Sequence, residues 1–330
     1  MQQSNRKFLD LSGFMFSGKH AVIELVREFA DFHVPHFEFE FPLIRVQDGI
    51  SDLEAALVTD WSPVRCASAI RRFRRLVDIC DRKATRTKLG YDFATRYEGS
   101  FRPLANEFIS SLIDVEWDAW WPYAWHDYSA CDLVTEKIKA RLGVARCFES
   151  RLALGTGDKF IEKVRRFVEP LLMAGAPNNT RTIVMHNALE PFNPMKGLNY
   201  FNDAKAINVY RDPRDNYVAS VRHSPLFRRV AGADSVETYI KRYRLLRQLA
   251  GRAKIDPTRV LNIQYESLIR DYESTLDKII GFLGVDQSQH TKKMVHFNPA
   301  ESSRFVGMWR TFEDRDAINL IENELAEYCV

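Results

Sequence analysis

No stretch of this sequence approaches the roughly 18–20 consecutive apolar residues that cross a bilayer. The opening residues MQQSNRKFLDLSG place no apolar segment behind their basic residues, so neither a membrane span nor a secretory leader is expected. Paired cysteines are also lacking. Cys66, Cys80, Cys131, Cys147 and Cys329 are odd in number, scattered, and form no CxxC, which speaks against a disulfide framework or a structural zinc. A cytoplasmic, reducing location follows as the expectation, and the sequon Asn178-Asn179-Thr180 then reads as accidental. Nor is there an excess of one charge. Lys plus Arg number 47 against 44 Asp plus Glu, a net charge of +3, too balanced for a chain that coats nucleic acid. No internal repeat or low-complexity segment stands out.

What is present is material for a sizeable core: 45% hydrophobic and 12% aromatic residues in 330. Apolar, β-branched runs at 7–12, 182–186, 206–210 and 260–264 have the length of buried strands, and each ends at a polar or glycine-containing turn. After the first run, Ala21, Val22, Leu25, Val26 and Phe29 recur at helical spacing; after the third, Tyr217, Val218 and Val221 do so. Strands alternating with helices predict an α/β fold, a parallel sheet flanked by helices. Ligands in such folds bind beyond the strands' carboxyl ends.

Residues 31–181 are too many for one crossover and read as a large, mostly helical insertion within a single domain, 1–330. Helical patterns occur there at 70–83 and 133–142. The aromatic patch 117–128 (Trp117, Trp120, Trp121, Tyr123, Trp125, Tyr128) reads as helix-packing core, with stacking on sugar rings the alternative. The run Arg71-Arg72-Phe73-Arg74-Arg75 could steer an anionic glycan or form a solvated helix face.

Two turns carry chemistry. Gly13-Phe14-Met15-Phe16-Ser17-Gly18-Lys19-His20 satisfies G-x-x-x-x-G-K between a strand and an amphipathic helix. Its inward N–H groups, the helix N-terminus and the Lys19 charge together suit a phosphate-like anion. His20 stands where an NTPase has its magnesium-binding Ser or Thr, and run 182–186 ends in histidine rather than aspartate, which disfavours metal-assisted ATP chemistry. After the third strand, Arg211-Asp212-Pro213-Arg214-Asp215 offers Asp212 as N-cap, Pro213 at the first helical position and Asp215 at N3. Arg211 then faces the same crevice, shaped to grip a second phosphate.

These segments resemble the sulfotransferases that use 3′-phosphoadenosine 5′-phosphosulfate (PAPS), which share a P-loop NTPase-like fold. The resemblance implies that Ser17, Gly18, Lys19, His20 and Ala21 cradle the 5′-phosphosulfate, and that Arg211 and Ser220 hold the 3′-phosphate. Phe16 stands where the family often has lysine, and Ala219 where its serine usually falls. Two further segments continue the resemblance in order. Gln264-Tyr265-Glu266-Ser267-Leu268 is similar to an element whose tyrosine lies near the adenine, here Tyr265; from the residues alone, a core aromatic at a strand end is an equal reading. Ser303-Arg304-Phe305-Val306-Gly307-Met308-Trp309-Arg310 is similar to a loop that closes over the nucleotide, with Arg304 on the 3′-phosphate and Gly307 in the closing turn; from the residues alone, a solvated surface arginine is the alternative for Arg304.

Sulfuryl transfer needs a base, and eight histidines are available: His20, His33, His36, His126, His186, His223, His290 and His296. His186 is chosen because it ends the second strand run, where cytosolic relatives place a catalytic histidine; Glu24 and Glu98 remain alternatives. Lys19 is assigned to the leaving group's charge, and no metal is expected. The acceptor-binding region is expected within 31–181. The segment 38–57 resembles bacterial sulfotransferases of surface-polysaccharide synthesis, which implies a carbohydrate hydroxyl as acceptor. A P-loop ATP phosphotransferase and a catalytically inactive nucleotide-binding module are the rivals.

Overall fold

The computed structural model describes residues 6–35, 40–121, 123, 129–143 and 149–330. Among these, seven strands form: β1 Lys7–Gly13, β2 Phe32–His33, β3 Val115–Trp120, β4 Glu149–Leu154, β5 Thr182–His186, β6 Ala204–Tyr210 and β7 Val260–Gln264. The chain divides into two compact units, one of Met1–Pro42 with Ala176–Val330, the other Leu43–Gly175.

The first unit is built on a five-stranded parallel sheet in the order β2-β5-β1-β6-β7. β1 lies in the middle, with Leu11 opposite His186 of β5 and Gly13 opposite Val209 of β6. Five consecutive residues of β1 are buried, which explains why its sequence is a continuous run rather than an alternation. One face packs Val22, Leu25 and Val26 of helix Lys19–Val26 and Leu276, Ile279 and Leu283 of helix Tyr272–Leu283 against Leu9, Val184 and Ile207. A second cluster joins Tyr217 and Val218 of helix Pro213–Arg222 to Tyr239 and Tyr243 of helix Val236–Arg252 and to Ile318 and Ile321 of helix Arg315–Glu324. Parallel strands end on one edge, so the turns after β1, β5, β6 and β7 share it. The expected α/β architecture is observed. The strand runs fall where the sequence puts them, with β6 starting at Ala204 and the two-residue β2 too short to show a pattern.

The second unit contains helices Pro63–Asp81, Phe101–Ser111, Ala130–Arg141 and Phe160–Met173 and the antiparallel hairpin β3–β4. The hairpin corrects the reading of the aromatic patch as helix-packing core. Trp117 lies on a strand and is 41% exposed, and Tyr123, beyond the end of that strand, is 48% exposed. Residues 122 and 124–128 lie outside the described residues. In the basic run, Phe73 is buried, Arg74 pairs with Glu116 at 2.7 Å and Arg72 approaches Asp48 at 3.9 Å.

Candidate anion-binding site at the carboxyl edge of the sheet

The loop after β1 is tight for reasons visible atom by atom. A Cβ on Gly13 would meet Ser17 Oγ at 2.3 Å and the Val209 carbonyl at 2.9 Å. Phe16 and Gly18 both adopt left-handed backbone, φ 61° and 82°, and the Ser17 N–H donates to the Phe14 carbonyl at 2.9 Å. Helix Lys19–Val26 starts at once, and its N-cap, Gly18, supplies no side-chain cap. The Ala21 N–H donates to the Gly18 carbonyl at 3.0 Å, and the aligned peptide dipoles make this end of the helix partially positive. Ser17 Oγ is buried without a hydrogen-bond partner.

Arg211, at the first position after β6, is buried and ties two loops together. Its Nη atoms donate to the Phe16 carbonyl at 3.1 Å and the Phe305 carbonyl at 2.5 Å, while Nε has no partner. The guanidinium lies 5.0 Å from the centroid of the Tyr265 ring. Tyr265 opens helix Tyr265–Arg270 directly after β7, packs against Gly18, and donates its hydroxyl to the Ser302 carbonyl at 3.4 Å. Tyr265 is both part of the buried core and a lining residue of the cavity it shares with Arg211.

The rest of the motif positions Arg211. Asp212 is the expected N-cap, accepting from the Arg214 N–H at 2.8 Å, and its own N–H donates to Glu266 at 3.0 Å. Arg214 pairs with Asp212 at 2.6 Å and lies over the Trp309 ring at 4.0 Å. Asp215 occupies N3, but its carboxylate accepts from the Gly307 N–H at 2.6 Å and the Trp309 N–H at 3.1 Å, fastening the C-terminal loop.

These elements border a cavity of about 310 Å³ lined by Gly18, His20, Ala21, Glu24, Arg211 and Tyr265, together with His296, Phe297, Asn298 and Phe305. Ser17 and Lys19 belong to the same loop but do not line the cavity; Ser17 is buried and Lys19 Nζ reaches Glu40 at 3.3 Å. His186 is also near the loop, 5% exposed, its ring centroid 5.3 Å from that of His20. Burial lowers the His20 pKa, with the Lys19 charge adding to the effect and Glu24 and Glu40 opposing it. Burial raises that of Tyr265 against the pull of Arg211.

Besides Ser17 and Lys19, three more expected ligands do not line the cavity. Ser220 is fully buried on helix Pro213–Arg222, and its hydroxyl donates to the Asn216 carbonyl at 2.8 Å, one turn back. Arg304 is exposed, with its guanidinium 4.8 Å from the Phe305 ring centroid. Gly307 serves the loop turn, with φ 78° and its N–H on Asp215. Of the alternative bases, Glu24 lines the cavity and pairs with Arg27 at 3.2 Å. Glu98 belongs to the second unit.

Sequence reasoning passed over Asp10, Glu28 and Glu40. Asp10 left a signal, an acid in the middle of the apolar run of β1. It accepts from Ser12 Oγ at 2.5 Å and the Ala188 N–H at 2.8 Å, yet burial raises its pKa to about 6. Glu40, which bonds Lys19 and Asn187, has no local spacing to mark it. Glu28, in Arg27-Glu28-Phe29, reads as an ordinary helix-end acid. Among the described residues, no helix is long and apolar enough to cross a membrane, and no group of three His, Cys, Asp or Glu residues could hold a metal ion.

Residues 171–289, which include His186, Arg211 and Tyr265 but not the loop after β1, match the profile described as "Sulfotransferase family". The omega-hydroxy-beta-dihydromenaquinone-9 sulfotransferases Stf3 of Mycobacterium bovis and Mycobacterium tuberculosis are each 33% identical over 115 residues, 32% of this chain. The chain spans 29% of those relatives' length. Among solved structures, the sulfotransferase domain of the Synechococcus PCC 7002 olefin synthase aligns with a TM-score of 0.40 at 15% identity, covering 98% of this chain and 96% of that one. Sulfotransferase STF1 of M. tuberculosis aligns at 0.41 and 13% identity, covering 98% and 77%. It is thus the segment 171–289, which carries the second and third strand turns of the sheet, that is similar to the sulfotransferase family.

Proposed function

We propose that the protein transfers a sulfuryl group from PAPS to an acceptor hydroxyl. The observation that carries this reading is Arg211: a buried guanidinium with an unsatisfied Nε, on a cavity it shares with the uncapped N-terminus of helix Lys19–Val26. Two cationic features on one cavity suit a nucleotide with phosphates at both ends. Gly18, His20 and Ala21 would hold the 5′ end, with Ser17 and Lys19 of the same loop, and Arg211 the 3′-phosphate. Tyr265 would pack on the nucleoside.

In the reaction the acceptor oxygen attacks sulfur, the bond from sulfur to the 5′-phosphate oxygen breaks, and adenosine 3′,5′-bisphosphate leaves. The loop N–H groups and Lys19 stabilise the charge that grows on the leaving phosphate. His186 takes the acceptor's proton. Glu40 is the second reading for the base, favoured by its contacts to Lys19 and Asn187. For the acceptor we retain a carbohydrate hydroxyl, bound in the region 31–181, and a cytoplasmic location. The mycobacterial relatives are named for a hydroxylated menaquinone, so the acceptor screen must offer both sugars and isoprenoid alcohols.

The test is isothermal titration with adenosine 3′,5′-bisphosphate against ATP-magnesium, followed by that screen with labelled PAPS. Tight, metal-independent binding of the bisphosphate is expected. Preference for ATP-magnesium would replace the reading by phosphotransfer, and binding without transfer to any acceptor would leave a nucleotide-binding module.

A further inference from the structure

We infer that Glu28 is a positioning residue of the donor cavity, holding in place the wall formed by His296, Phe297 and Asn298. The inference rests on the reading above that the cavity takes adenosine 3′,5′-bisphosphate. Glu28 is 0% exposed, and each carboxylate oxygen is bonded to a segment far away in sequence. Oε1 accepts from the His296 N–H at 2.9 Å and the Phe297 N–H at 2.8 Å; Oε2 meets His290 Nε2 at 2.7 Å.

The neighbouring backbone repeats the attachment. Lys292 N–H donates to the Glu28 carbonyl at 3.1 Å, Ala30 N–H to the Gln289 carbonyl at 2.7 Å, and His290 stacks on Phe29 with ring centroids 4.7 Å apart. Residues 289–297 are thereby fixed just beyond the C-terminal end of helix Lys19–Val26, the helix whose N-terminal end forms the phosphate loop. His296, Phe297 and Asn298 line the cavity. Helix Lys19–Val26 and the turn that follows it thus set two walls, the first through the helix N–H groups and the second through Glu28.

The physical reason for a carboxylate is the number of acceptors needed at one buried point. Two backbone N–H groups and an imidazole N–H converge there, and only a side chain with two acceptor oxygens answers all three. Alanine at position 28 would leave two amides buried and unpaired, a cost relieved only if the segment moves out toward water. Glutamine keeps an oxygen for the two amides and presents an N–H₂ to His290, whose other tautomer accepts it.

The experiment is titration of adenosine 3′,5′-bisphosphate into wild type, Glu28→Ala and Glu28→Gln well below their melting temperatures, with amide hydrogen exchange on each. Glu28→Ala is expected to bind at least 10-fold more weakly, with faster exchange confined to 289–298 that slows again when the bisphosphate is added. Glu28→Gln should stay within about threefold of wild type. A purely structural role would lower the melting temperature without moving affinity or the ligand-dependent exchange, and that outcome overturns the inference. Wild type that fails to bind the bisphosphate overturns the reading of the cavity and this inference with it, whereas binding equal in wild type and Glu28→Ala overturns this inference alone. If Glu28→Ala does not fold, His290→Phe carries the test. It keeps the stack on Phe29 and removes the bond to Oε2, so a several-fold loss of affinity supports the inference and none overturns it.

Discussion

The guanidinium of Arg211 rests 5.0 Å from the ring centroid of Tyr265, and the edge of the same ring leaves no room for a Cβ on Gly18. Turns that follow three different strands therefore meet at one aromatic ring. Each can be altered separately, and each change has a distinct expected signature.

Arg211→Ala should weaken adenosine 3′,5′-bisphosphate by about 100-fold, the size of a lost charge-assisted contact. Adenosine 5′-phosphosulfate, which lacks the 3′ group, should lose less than about 10-fold, because only loosening of the Phe16 and Phe305 loops would affect it. Calorimetry with both ligands decides the matter: equal losses would remove the 3′-phosphate from Arg211.

Gly18→Ala places a Cβ 2.4 Å from Tyr265 Cδ2 on backbone at φ 82°. The left-handed backbone alone costs about 1 kcal/mol, and the ring must also shift away from Arg211. Bisphosphate affinity should fall by more than 10-fold, at least the ~1.4 kcal/mol per decade of affinity. In a Tyr265→Ala background the same change should cost clearly less, since the obstructing ring is gone. Additive losses across that double-mutant cycle would show that the contact is not the cause.

For the base, His186→Ala should lower turnover by about 100-fold or more while bisphosphate affinity stays near wild type. Glu40→Gln should remain within about 10-fold of wild-type turnover. The reverse pattern, measured at saturating donor and acceptor, would transfer the role to Glu40.

Asp10 gives a pH dependence of stability. Its pKa is raised from 3.8 to about 6 by burial, so the fold prefers the protonated acid. The resulting stabilisation is complete below about pH 4 and is lost as pH rises through about 6. Asp10→Asn removes that loss, and its advantage over wild type should grow between about pH 4 and 6 to the order of 2 kcal/mol and level off above. Thermal melts across this range test it, and a difference between the two proteins that does not change with pH would exclude Asp10 as the titrating group.

Much of the scaffold was legible because its signals are local. A run such as Phe8-Leu9-Asp10-Leu11 can only be a strand buried on both faces, and the spacing of Val22, Leu25 and Val26 sets one helix face. Gly13 to Lys19 can be read as a loop because glycine answers a purely local steric demand. The same locality explains the misplaced residues. Ser220 sits within a turn of where a ligand would be sought, but the hydroxyl turns back to Asn216 because the helix packs that face inward. Asp215 looks like a helix cap until the C-terminal loop arrives to claim both its oxygens. The hairpin of β3 and β4 escaped notice because its antiparallel partner lies across a long connection.

The sequence by itself determined strands β1, β5, β6 and β7, the phosphate-type loop with Lys19, and the placing of His186, Arg211 and Tyr265 at strand ends, since spacing and residue type are enough to specify them. Only the tertiary structure decided what those residues touch. Glu40 reaches Lys19 from 21 residues away and Glu28 holds a wall 262 to 269 residues away. Contacts at such separations are chosen by how helices and loops pack on the sheet, through burial that forces every carboxylate and amide to find a partner, and no short pattern along the chain encodes that choice.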